Sequence, residues 1–386
     1  MQQRVGIVGA TGAVGLEMLE VLRERNTLET FGPTHLRLYA SKRSAGKEIS
    51  CPTTLKASPG GSVTFTVIEF SVPDVVENCD ILLLASSSEF AKEFVPQIHE
   101  KRGDMIIIDN SSAFRYDEAV PLVVPEVNGP DAFRANLIAN PNCTTAIMSL
   151  VVFPLHKKYK VKRFLSSTYQ AASGAGKAGM EELEAQMTAF NATGSDAEKD
   201  SSGATPTGVK PPEVFAYPLI ANLIPQIDAF QANGYTKEEM KVSWETKKIF
   251  ASAAAVGLEG TQDQDVVMED EELKISCTAV RIPTLRSHAM SVTLGLAESF
   301  KDADEIRAHL QNCSKEFMFQ VVDNPAEKRY PMPLTSANKW EVEVGRIRRN
   351  PVFDNGLDMF VCGDQLLRGA ALNAVLIAEL RMQNKA

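Results

Sequence analysis

Leu137–Thr145 reads Leu-Ile-Ala-Asn-Pro-Asn-Cys-Thr-Thr and carries the residue best suited to covalent chemistry, Cys143. The β-favouring run Leu137–Ala139 stops at Asn140-Pro141, because proline lacks a backbone donor and pushes the preceding residue away from helix. The apolar segment Ala146–Leu155 that follows predicts a helix. A thiol at or near a helix N-terminus meets N–H groups that favour negative charge and lower its pKa. Read alone, the stretch leans slightly to the commoner fate of a cysteine, a small buried hydrophobe. A second stretch suits a nucleotide. Arg4–Val8 predicts a buried strand, Gly9, Ala10, Thr11, Gly12, Ala13, Val14 and Gly15 a glycine-rich turn, and Leu16, Leu19 and Leu22 an amphipathic helix. Strand, glycine turn and helix bring backbone close to a pyrophosphate at the helix N-terminus. The spacing is G-x-x-G-x-x-G, so its position carries more weight than its pattern.

The elements around these stretches alternate. Leu36–Ala40, Val63–Phe70, Ile81–Ala85 and Met105–Ile108 read as strands, with helices over Val75–Asn78 and Glu89–Lys101. Apolar runs alternating with helices predict a parallel sheet covered on both faces. Loops at the carboxyl ends of such strands carry ligands, and Ser86–Ser88, Asn110–Arg115 and the Cys143 turn are three. An NAD site places an acid after the second strand, for the ribose 2′-hydroxyl. This chain has Ser41, Lys42, Arg43 and Ser44 there, which suits a 2′-phosphate and hence NADP; a solvated basic turn is the alternative.

Beyond Cys143 the pattern changes. Arg163–Gln170 reads as a strand before the loop Ala171–Gly176, and Lys177–Phe190 as a helix. Asn191–Thr207 is polar and reads as an exposed loop. Thr236–Phe250 reads as a helix opened by a capping box, Thr236 with Glu239. Leu273–Ile282, Met290–Glu298 and Glu341–Arg348 read as antiparallel strands, Asp302–Leu310 as a helix, and Gly369–Leu380 as a last helix with Leu372, Val375, Leu376 and Leu380 on one stripe. The fold class is therefore α/β: a doubly wound dinucleotide-binding domain, then an α+β domain with a mixed or largely antiparallel sheet. The boundaries fall at 1–140, completed by 365–386, and 141–364.

The bulk numbers exclude several classes. The chain has 386 residues, is 44% hydrophobic and 23% charged, and carries a net charge of −9 without a block of like charge. That speaks against nucleic acid or an anionic membrane as partner. No apolar run reaches a membrane span. The six cysteines form no C-x-x-C pair and the five histidines are scattered, so no metal site is expected. A reducing, cytoplasmic setting is expected, and a processed organellar form stays open.

Gly9–Gly15, Ser41–Ser44, Asn110–Arg115, Asn140–Cys143, Tyr169–Gly176, Thr236–Lys248, Val280–Ala289 and Gly369–Glu379 together resemble aspartate-semialdehyde dehydrogenase, in order and through nearly the whole chain. The two-domain fold also serves N-acetyl-glutamyl-phosphate reductase, where Asn-Pro-Gly-Cys is expected around the cysteine. A noncatalytic NADP-binding sensor is the reading from another class. The resemblance implies reversible, NADP-dependent conversion of β-aspartyl phosphate to aspartate β-semialdehyde and phosphate. It implies Cys143 as nucleophile, His288 as acid/base and Gln170 as the residue orienting substrate. It places Gly9, Thr11, Gly12, Ala13, Val14, Ser41, Arg43, Ser44, Ser86, Ser173, Gly174 and Asn373 at the cofactor. Arg281 would take the substrate carboxylate, Glu238 the amine, and Arg115, Lys241 and Asn142 the phosphate. Glu238 and Lys241 sit i,i+3 on one helix, a spacing more often seen in a solvated ion pair. Arg286 is a decoy for Arg281, being nearer His288. A homodimer or homotetramer is implied, along with a small-molecule substrate and inorganic phosphate.

Overall fold

The computed structural model describes residues 3–25, 35–52, 62–193, 209–256 and 273–383. They fall into two compact units. The first draws on Met1–Ala146, Glu245–Glu269 and Leu367–Ala386, the second on Ile147–Trp244 and Asp270–Leu366.

The first unit is built on β1 (Val5–Val8), β2 (Leu36–Ala40), β3 (Glu48–Pro52), β4 (Ser62–Thr66), β5 (Ile68–Glu69), β6 (Ile81–Leu84), β7 (Ile106–Asp109) and β8 (Leu137–Ala139). Six of these form one parallel sheet in the order β5-β2-β1-β6-β7-β8. Counted within the sheet, that is third, second, first, fourth, fifth, sixth, the order of dinucleotide-binding folds. Ile81–Leu84 and Ile106–Asp109 are buried at every position, as helices on both faces require. Between strands run α1 (Ala13–Glu24), α2 (Val72–Asn78) and α3 (Ser88–Lys101). Ser71 and Ser87 cap the latter two, their hydroxyls accepting the N–H of Asp74 and Phe90. Gly9 sits at φ +81° with its Cα against the Ala85 carbonyl, a place with no room for a side chain.

Two expectations change here. Val63–Phe70 is not one strand. Ser62–Thr66 pairs antiparallel with β3 in a separate hairpin, and only Ile68–Glu69 joins the main sheet. Buried Val67 between them exchanges backbone hydrogen bonds with Gly46 and Lys47, which turns the chain from one sheet to the other. In α1, Leu16 is 43% exposed, and Met18, Leu19, Val21 and Leu22 form the buried face.

Next comes α4 (Cys143–Tyr159), which begins at the cysteine rather than three residues later. The second unit's sheet holds β9 (Val161–Gln170), β10 (Lys274–Arg281), β11 (His288–Leu296), β12 (Phe319–Val321), β13 (Val342–Asn350) and β14 (Gly356–Gly363), ordered β10-β9-β11-β14-β13-β12. It is mixed. β11 is antiparallel to β9 and β14, as is β13 to β14. β10 instead runs parallel to β9, and β12 parallel to β13. The connection from β9 to β10 contains α5 (Gly176–Thr193) and α6 (Lys237–Val256), and a long crossover of this kind delivers a strand in the same direction. The capping box of α6 is formed: the Thr236 N–H donates to Glu239 Oε2 at 2.6 Å, and the Glu239 N–H to Thr236 Oγ1 at 3.3 Å. Residues 194–207 of the expected polar loop lie outside the described residues; Asn191 and Ala192 end α5, exposed.

After α7 (Ala303–Cys313), the C-terminal segment returns to the first unit as one wide turn, Leu367–Ala371, and α8 (Leu372–Gln383). The expected stripe is only partly the buried one. Leu372 and Val375 are buried with Asn373, Ala374, Ile377 and Ala378, whereas Leu376 and Leu380 are half-buried. The helix packs on several neighbours, including α1 and Gly129–Phe133, so its buried surface is wider than a single stripe. No helix among the described residues is long and apolar enough to cross a membrane, and no group of three or more metal-ligating side chains is found among them.

Candidate active site

In the first unit the Cys143 turn is held from several sides. Asn142 caps α4: its Oδ1 accepts the N–H of Thr144 at 3.0 Å and of Thr145 at 3.3 Å. Asn140 Oδ1 accepts from Asn373 Nδ2 at 2.5 Å, while Asn140 Nδ2 donates to Asn110 Oδ1 at 2.5 Å and the Ala370 carbonyl at 3.2 Å. Asn373 Nδ2 also donates to the Val123 carbonyl at 2.9 Å. Three side-chain amides thus tie the last helix, the cysteine turn and the loop after β7 together. Gly369 completes the seat, since a Cβ there would lie 2.6 Å from Cys143 Cβ. Cys143 itself is half-buried. Burial pushes the thiols of Cys79 and Cys277 up to about 11 and about 12. It also raises those of Cys51, Cys313 and Cys362. Such thiols are poor nucleophiles near neutral pH.

Beneath the turn lies Glu245, fully buried and unforeseen in the sequence. Its Oε1 accepts from Arg115 Nη1 at 3.0 Å and its Oε2 from the Asn142 N–H at 2.5 Å. Arg115 Nη2 donates to the Asn110 carbonyl at 2.7 Å. Arg115 and Asn142 are therefore brought together.

Gly9, Thr11, Gly12, Ser41, Lys42 and Ser86 line a cavity of about 470 Å³, with Glu69, Phe70 and Phe90 also on its wall. Ala13 and Val14 begin α1 beside it. Arg43 is exposed, Ser44 is buried in the turn after β2, and neither is on the cavity wall. The cavity fits a dinucleotide: Gly9 leaves a cradle that a Cβ would fill, and the buried Ser86 Oγ has no hydrogen-bond partner among the described residues. Glu69 was missed because it ends a two-residue strand, too short to show a period.

In the second unit, Gln170, Glu238, Lys241, Arg281 and His288 form one polar cluster. Gln170 Oε1 accepts from Thr168 Oγ1 at 3.0 Å and its Nε2 donates to Glu238 Oε1 at 3.1 Å. Lys241 Nζ reaches Glu238 Oε2 at 3.1 Å and Asp228 Oδ2 at 2.9 Å. Burial opposes the Lys241 charge, but the two carboxylates outweigh it and hold its pKa above the ordinary value. Arg281 Nη1 donates to the Ala171 carbonyl at 2.6 Å, with Gly174 against the guanidinium. Ser173 Oγ accepts from Gln365 Nε2. The fully buried His288 accepts the Ala171 N–H at Nδ1, 3.1 Å away, with Gln170 Nε2 at 3.5 Å from its Nε2. Burial, helped by Arg281, pushes the His288 pKa down to about 3. Before it stands Ser287 at φ +73°, held by Gln365 Oε1 and the Gly363 carbonyl. Arg286 is engaged by buried Asp364 at 2.5 Å.

The chain matches two family models: the NAD-binding domain of semialdehyde dehydrogenases over residues 4–135 and their dimerisation domain over residues 152–368. It is 37% identical to aspartate-semialdehyde dehydrogenase of Synechocystis sp., covering 98% of this chain and 97% of that one. The chain belongs to the aspartate-semialdehyde dehydrogenase family. The enzyme of Aquifex aeolicus is 38% identical, with 98% of both chains covered. Aspartate-semialdehyde dehydrogenase II of Vibrio cholerae, solved in complex with ASA, superposes with a TM-score of 0.80 at 33% identity over 99% of both chains. The family's fold, a parallel nucleotide-binding sheet followed by a mixed sheet, is the one described above, and its oxidoreductase function is supported here.

Proposed function

We propose that this member of the family reversibly converts L-aspartyl 4-phosphate to L-aspartate 4-semialdehyde and phosphate. It uses NADP and a thioester on Cys143, in the cytoplasmic pathway toward lysine, threonine and methionine. The observation that carries this reading is the setting of Cys143: a half-buried thiol that opens α4, on a turn held by Asn142 and closed over by Gly369.

Gly9, Thr11, Gly12, Ala13 and Val14 would hold the pyrophosphate at the start of α1, with Ser86 beside them. Ser41, Arg43 and Ser44 would meet the 2′-phosphate, and Ser173, Gly174 and Asn373 the nicotinamide side. When bound, NADPH supplies the hydride that reduces the thioester.

The Cys143 thiolate attacks the acyl carbon; the C–S bond forms and the C–O bond to phosphate breaks. Arg115, Lys241 and Asn142 take the departing phosphate. Arg281 takes the substrate carboxylate and Glu238 its ammonium, while Gln170 orients the carbonyl. His288 holds its proton on Nε2, because Nδ1 accepts from Ala171. As acid/base it shares that proton with the hemithioacetal oxygen through a hydrogen bond, without giving it up, while the C–S bond breaks and the aldehyde forms.

The test is the initial rate of NADP reduction by aspartate semialdehyde, with and without phosphate, repeated with NAD. Cys143→Ala is expected to abolish the rate with the fold intact. Full activity in that variant, or preference for the N-acetyl-glutamate semialdehyde, overturns the reading.

A further inference from the structure

Four of the charged residues of α6 fall at 238, 241, 245 and 248, spacings of three, four and three that share one helix face. Glu238 and Lys241 belong to the proposed substrate set. Glu245 and Lys248 do not, yet both are committed to the first unit. Lys248 Nζ, with three donors, meets three carbonyls: Arg115 at 2.9 Å, Asp117 at 2.7 Å and Val120 at 2.8 Å. The Glu245 side chain is 0% exposed and divides its oxygens between the Arg115 guanidinium and the Asn142 N–H. A buried carboxylate is costly unless its oxygens are bonded.

The geometry points to Glu245 as a positioning residue that couples the phosphate-binding Arg115 to the nucleophile turn. The inference rests on the proposed role of Arg115 in taking phosphate. One oxygen aims the guanidinium. The other fixes the N–H immediately before Cys143 and places a negative charge one residue from the thiol. Neither partner shifts without displacing the carboxylate that holds the other. Lys248 pins the backbone of residues 115–120 to the same helix, so the arginine approaches the turn from a fixed base. Phosphate entering at Arg115 competes with Glu245 for the guanidinium, and the loosened carboxylate acts on the cysteine through Asn142.

Glu245→Gln tests this, since it keeps the shape but offers an amide to one of two donors. In the folded variant the KM for phosphate is expected to rise about tenfold, the size of one lost charge-assisted hydrogen bond. The KM values for semialdehyde and NADP should be unchanged. In the resting protein, iodoacetamide should alkylate Cys143 several-fold faster at pH 7, because the neighbouring negative charge is gone. A folded variant with either the phosphate KM or the alkylation rate at its wild-type value overturns the inference. If wild-type protein shows no phosphate-dependent turnover, the functional reading fails, and alkylation alone still decides the link between Glu245 and Cys143. Should Glu245→Gln not fold, the charge-balanced pair Glu245→Gln with Arg115→Gln is compared with Arg115→Gln alone. Faster alkylation in the pair supports the coupling, and equal rates overturn it.

Discussion

A histidine whose Nδ1 accepts a backbone N–H has one place for its proton. His288 is in that position, and burial keeps it neutral well below its ordinary range. The consequence for stability has a definite sign. With an ordinary pKa of 6.5 and a folded value of about 3, the unfolded chain binds the proton between those values and the native chain does not. Stability is therefore full above 6.5 and lost as pH falls toward 3. His288→Asn is expected to flatten the fall in melting temperature over that window. It should also lower kcat by about 10²–10⁴, the usual worth of a positioned acid/base. An unchanged pH slope together with wild-type kcat contradicts this account of the residue. The residue scale is also where the sequence is hardest to read. Gln170 and His288 announce themselves only through family resemblance, since a glutamine at a strand end and a histidine at a strand start have ordinary structural uses. Glu245 stayed hidden because charged residues at helical spacing usually mark a solvated face. Only its two partners, far away in sequence, show that it is buried.

Among the elements, the mixed sheet of the second unit has a face that makes a prediction. Along β9, Val161, Phe164, Ser166, Thr168 and Gln170 are buried, while Arg163 and Leu165 are exposed and Ser167 and Tyr169 half-buried. Tyr169 pairs with Phe360 of β14 at 6.2 Å between ring centroids. Such a face suits a second copy of the same chain, and this region matches the family's dimerisation domain. We propose a homodimer through it. Sedimentation is expected to give a dimer for the wild type and a monomer for Leu165→Asp; a wild-type monomer would rule the interface out. Local signals predicted several elements well. The Thr236–Glu239 capping box starts α6 as read, and the glycine turn lies between β1 and α1. Strand direction was not legible in β10, because alternation shows that a strand is half-buried and not which way its neighbour runs. β14 and the β3–β4 hairpin were not anticipated, and the C-terminal stripe was misjudged because a helix packed on several sides has no single face.

For the molecule as a whole, the central claim is that Cys143 carries the acyl group between its two fates. The chain opens α4 with a half-buried thiol, on a turn held by Asn142, and opens β11 with a buried, neutral histidine whose Nδ1 accepts the Ala171 N–H. None of these observations alone specifies a reaction; a covalent thioester requires the set. The most direct measurement is mass spectrometry of protein quenched after mixing with aspartate semialdehyde and NADP in the absence of phosphate. The account predicts a stoichiometric acyl adduct on the peptide containing Cys143, accompanied by one burst of NADPH and discharged when phosphate is added. Continuous NADPH formation without phosphate and without an adduct on Cys143 would contradict it.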